Sequence, residues 1–98
     1  MLNTLPTILI ADDEPNICRI AKLIIPSEDY NVITAENGLD AYEKALQFSP
    51  NIILSDILMP KCDGFELCQK IKQNDQLLKM DPILCGGVSL SYFLLMNL

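Results

Sequence analysis

Short apolar runs alternate with amphipathic stretches along this chain. Thr7–Ala11 (TILIA) and Asn51–Ser55 (NIILS) are compact and rich in β-branched residues, the pattern of strands covered on both faces. Asn31–Ala35 (NVITA) reads as a further short strand. Between these runs, Ile17, Ile20, Ala21 and Ile24 recur at i, i+3, i+4 and i+7 and predict a helix with one face on a core. Leu39, Tyr42, Ala45 and Leu46 predict a second helix ending near Phe48, and Phe65, Cys68 and Ile71 a third ending near Gln73. The punctuation agrees. Asp13-Glu14-Pro15 suits a helix start, because acids favour its positive end and Pro is tolerated in the first turn. Pro26 ends the first helix, since the residue before Pro is pushed out of the helical region. Asn37-Gly38 is a turn or cap signal and Ser49-Pro50 a break. Pro82–Cys85 (PILC) is expected to open a fourth strand. The order β-α-β-α-β-α-β calls for a parallel sheet with helices on both faces.

Composition narrows the function classes. A chain of 98 residues holds one domain, so a multidomain enzyme is excluded. Seven Lys+Arg against 13 Asp+Glu give a net charge of −6, which argues against direct nucleic-acid binding, because phosphates are neutralised by clustered cations. With no His, neither a histidine triad nor a His-ligated zinc site can form. Cys18, Cys62, Cys68 and Cys85 have no C-x-x-C spacing and are read as reduced thiols of a cytoplasmic protein. No secretory signal is visible in MLNTLPT. From Pro82 to Leu98 there is no charged residue. This apolar tail is short of a spanning helix and carries Gly-Gly, Ser and Asn, so no membrane partner is expected.

The candidate chemistry lies in the acids that follow the strands. In an open parallel sheet, ligands bind beyond the carboxyl ends of the strands, where the strand order reverses. Asp12 and Asp13 follow the first strand and Asp56 the third. One acid at a strand end is often a solvated turn residue. Three at one sheet edge, if the first and third strands are neighbours, would repel one another until a proton or a cation joins them. Oxygen donors without nitrogen or sulfur favour Mg²⁺, so the cluster reads as a metal-assisted phosphoryl site. Ala11–Asn16 (ADDEPN) lacks the Gly-rich turn of a dinucleotide site, and there is no P-loop motif.

Ile8–Pro15 (ILIADDEP), Ala35-Glu36-Asn37-Gly38, Pro50–Pro60 (PNIILSDILMP) and Asp63–Glu66 (DGFE) together resemble the receiver domain of two-component response regulators, over about residues 7–85. The resemblance implies a flavodoxin-like, doubly wound parallel α/β sheet, here incomplete, with about four strands in the order 2-1-3-4 and three main helices. It implies that Asp56 is the phosphoacceptor for a sensor histidine kinase or phosphotransfer protein. Asp12 and Asp13 match the acidic pair that holds Mg²⁺, Asp13 directly and Asp12 largely through water. Leu58 matches the position whose backbone carbonyl completes the metal ligands, and Pro60 and Gly64 shape the loop. No separate catalytic residue is assigned, and the chain is read as a non-enzyme.

The sequence also departs from the family. Where the fourth strand ends the family has Thr or Ser and then a small residue; here that register gives Gly87 and Val88, with Ser89 two positions late. The phosphoryl-pairing Lys of the fifth strand has no counterpart, because no Lys or Arg follows Lys79. The chain is therefore read as a receiver-like domain over 1–85 with an atypical hydrophobic tail over 86–98, the end product of truncation or alteration. A bare hydrophobic sheet edge invites pairing with another chain as a homodimer, and the tail is expected either to cover that edge in cis or to exchange between protomers as a swapped oligomer. One alternative reading is a non-phosphorylated interaction module. Another, a small aspartate-dependent phosphatase, would place a D-x-D motif where Asp12 and Asp13 are adjacent.

Overall fold

A computed structural model describes residues 5–56, 63–74, 77 and 81–84. The elements run β1 (Thr7–Ala11), α1 (Pro15–Ile24), β2 (Asn31–Ala35), α2 (Gly38–Phe48), β3 (Ile52–Ser55), α3 (Gly64–Lys72) and β4 (Asp81–Leu84). All strand pairs are parallel, in the order β2-β1-β3-β4. The expected order 2-1-3-4 and three helices are therefore present. Leu58, Pro60, Cys62, Cys85, Gly87, Val88, Ser89 and the 86–98 tail lie outside the described residues, as does the boundary drawn after residue 85.

Alternation along the central strands splits the core into two layers. Leu9, Ala11 and Ile53 face α2 and α3, packing with Ala41, Ala45, Leu67 and Ile71. Ile8, Ile10 and Leu54 face α1, packing with Ile17 and Ala21. Because successive residues of a strand point to opposite faces, an unbroken apolar run is what a sheet covered on both sides requires.

The helix ends follow from local chemistry. Ile25 is extended (φ −79°, ψ 122°), as the residue before Pro26 must be, and its N–H closes the last turn on the Ala21 carbonyl. Asn37 caps α2 by accepting from the Asp40 N–H at 2.8 Å. Asp63 caps α3 in a capping box with Glu66, which gives the DGFE motif a structural role.

The helix faces differ in part from the expected stripes. In α1, Ile17 and Ala21 are buried, but Ile20 is 41% exposed. In α2 the buried side chains are Ala41 and Ala45, while Leu39 and Leu46 are exposed and Tyr42 is half-buried. Small residues let α2 lie close on the sheet, so side-chain size misplaced the buried face by about one position. In α3, Leu67 and Ile71 are buried and Cys68 only half so.

Candidate functional site

Register brings the acids together. Ala11 of β1 pairs with Ser55 of β3, so the residues that follow, Asp12 and Asp56, leave neighbouring strands side by side. Both backbones are held across the sheet: the Asp12 N–H donates to the Ala35 carbonyl and the Asp56 N–H to the Ala11 carbonyl, each at 3.0 Å. This is the place where chain order reverses, with β1 leading outward to β2 and β3 returning on the other side.

Asp12, Asp13 and Asp56 each present a carboxylate oxygen within 4.8 Å of the others. Asp12 is buried, Asp56 half-buried and Asp13 exposed. The Glu14 N–H donates to Asp12 Oδ1 at 2.9 Å and orients that carboxylate. Burial is the main cause that pushes the Asp12 carboxyl up from 3.8 to about 6, with the charges of Asp56 and Asp13 adding to it. The Glu14 amide acts in the opposite direction, because it favours the ionised form. An all-oxygen set with excess negative charge suits a hard divalent cation.

Two neighbours were not singled out in the sequence for this site. Ser55 is fully buried and its hydroxyl donates to the Asp56 carbonyl at 2.9 Å, which steadies the turn leaving β3. The Cys18 thiol donates to the Asp12 and Ala35 carbonyls at 3.7 and 3.9 Å. Burial raises its pKa, so it stays a thiol beside the carboxylates. Cys18 and Cys68 are both free, as expected of reduced cysteines. Of the remaining predicted residues, Gly64 opens α3, and Leu58 and Pro60 lie outside the described residues. Among the described residues, no helix is long and apolar enough to cross a membrane.

Residues 8–87 match the family described as the response regulator receiver domain. The response regulator ArlR of Staphylococcus aureus is 41% identical over 66 residues, which cover 67% of this chain and 30% of that protein. The chain thus spans about a third of that relative's length. Among solved structures, the N-terminal domain of a response regulator receiver protein from Methanoculleus marisnigri JR1 superposes with a TM-score of 0.76 at 30% identity, covering 83% of this chain and 66% of that one. The signal receiver domain of a histidine kinase from Syntrophus aciditrophicus gives a TM-score of 0.78 at 29% identity, covering 94% and 71%. The family match corrects the reading of this chain as a non-enzyme, because receiver domains carry autophosphorylation and some phosphatase activity. Fold, acidic cluster and sequence match agree, and the chain belongs to the receiver-domain family of two-component response regulators.

Proposed function

We propose that this domain accepts a phosphoryl group on Asp56 from the phosphohistidine of a cytoplasmic sensor histidine kinase or phosphotransfer protein. An Asp56 carboxylate oxygen attacks phosphorus, a new O–P bond forms as the N–P bond breaks, and the histidine nitrogen leaves with the electron pair. The product is an aspartyl phosphate. A carboxylate is a weak nucleophile, so the reaction depends on positioning and charge neutralisation. The observation that carries this reading is the convergence of three carboxylates within 4.8 Å at the switch point of the sheet.

Mg²⁺ would be held by Asp13, Asp56 and the Leu58 backbone carbonyl, with Asp12 acting through water, and would neutralise charge on the phosphoryl oxygens. The chain's own part is positional. The Ala11 carbonyl and Ser55 hydroxyl fix the backbone of Asp56, and the Glu14 amide turns Asp12. Pro60 and Gly64 are proposed to shape the loop beside Asp56, and residues 86–98 to form a separate hydrophobic tail.

The test is mass spectrometry of the intact chain with acetyl phosphate. The expected result is a gain of one phosphoryl group that requires Mg²⁺ and is lost in Asp56→Asn. No gain at any Mg²⁺ concentration would remove phosphoacceptance and leave the fold assignment standing.

A further inference from the structure

The last residues of three neighbouring strands form one row across the sheet. Ala35 of β2 and Ser55 of β3 both pair with Ala11 of β1, and residues in register share a face, here the one covered by α2 and α3. Ala11 and Ala35 are buried in that layer, and Ser55 is 0% exposed. Packing asks only for a small side chain at this level, and alanine serves in both neighbouring strands. The Ser55 hydroxyl is therefore an addition that the core does not need. A buried hydroxyl costs stability unless it is hydrogen-bonded, so its partner shows its use.

That partner is the Asp56 carbonyl, at 2.9 Å. Asp56 stands one residue past the end of β3, where the ladders to both neighbours stop. Among the described residues, the Ser55 hydroxyl is the only donor to this carbonyl. The Asp56 N–H is held by the Ala11 carbonyl at 3.0 Å. Both backbone groups of Asp56 are thus pinned, one by the adjacent strand and one by Ser55. Rotation of the backbone here would swing the Asp56 carboxylate away from Asp12 and Asp13, whose oxygens lie within 4.8 Å of it.

We propose that Ser55 is a positioning residue for phosphoryl transfer: its hydroxyl holds the Asp56 backbone so that the carboxylate stays aimed at phosphorus during the displacement. The proposal rests on the phosphoacceptor reading of Asp56 and adds to it a residue that sets the rate. In-line attack by a weak nucleophile is sensitive to small errors of aim. Ser55 is fully buried and offers no atom to a phosphodonor or an ion. Its effect therefore falls on the transfer step and not on the binding of either. A purely structural hydroxyl behaves differently: its loss lowers the stability of the chain and leaves the rate of the folded molecules unchanged.

The test is the rate at which the intact chain gains a phosphoryl group, followed by mass spectrometry over a range of acetyl phosphate concentrations at saturating Mg²⁺. Ser55→Ala is expected to keep the fold, since alanine fills the same row in the neighbouring strands, and its amide NMR spectrum checks this. Its maximal rate is expected to fall about tenfold at an unchanged half-saturating donor concentration. Ser55→Thr keeps the hydroxyl and is expected to recover most of the loss. A native maximal rate in Ser55→Ala, or a change confined to the half-saturating concentration, would overturn the proposal and leave Asp56 as the phosphoacceptor. So would a folded Ser55→Thr as slow as Ser55→Ala. A native chain that gains no phosphoryl group would remove the phosphoacceptor reading, and this proposal with it.

Discussion

Asp12 carries a measurable cost at the scale of one residue. Its carboxyl is held at about 6 in the folded chain against an ordinary 3.8, so between these values the folded state binds the extra proton. Stability should then fall as pH rises from about 4 to about 6 and level off above, a loss of about 2–3 kcal/mol in metal-free buffer. Asp12→Asn keeps an oxygen for the Glu14 N–H and removes the charge. Urea denaturation without divalent ions should therefore show a pH slope in the native chain and none from this position in the variant, which becomes the more stable protein at neutral pH. An equal slope in both would place the strain elsewhere. The acids of this site were legible in the sequence because each ends an apolar strand. Their degree of burial was not, because it depends on the Glu14 amide and Cys18, which the α1 turn folds over Asp12.

At the scale of an element, α2 shows how local chemistry and packing divide the work. Its N-terminus rests on Asn37, which is buried and accepts the Asp40 N–H. Asn37→Ala should cost about 1 kcal/mol by leaving that donor unsatisfied. At the other end Ser49 is left-handed (φ 47°), the one non-glycine with positive φ among the described residues. Ser49→Gly should stabilise by about 0.5–1 kcal/mol, because glycine takes this conformation without the Cβ clash. Thermal or urea unfolding of the two variants should move in opposite directions. Both ends were legible, through Asn37-Gly38 and Ser49-Pro50. The buried face was legible only in part: Ala45 of the expected stripe meets the sheet, but beside it stands Ala41, while the larger Leu39 and Leu46 are exposed. A close helix–sheet approach selects small side chains, and no periodicity reveals how near two elements will come.

For the whole molecule, the strands were readable because β1 and β3 are apolar on both faces, whereas their pairing is non-local and follows only from the fold. Leu9 shows what that pairing is worth: it is fully buried in the central strand, and Leu9→Ala should cost about 3–4 kcal/mol, a large part of the stability of a small domain. The same β1–β3 seam holds the acidic cluster, so a bound ion should staple the two strands. Any ligand that binds only the folded chain stabilises it by RT ln(1 + [L]/Kd), about 2.7 kcal/mol at one hundred times Kd. Unfolding midpoints should therefore climb with the logarithm of Mg²⁺ concentration. The climb should be steeper at pH 7.5 than at pH 5, where the Asp12 proton competes with the ion. Asp13→Asn should flatten it while leaving the metal-free fold intact by amide NMR. A midpoint that ignores Mg²⁺ at pH 7.5 would mean that the three carboxylates, though gathered within 4.8 Å, relieve their repulsion with protons and water alone.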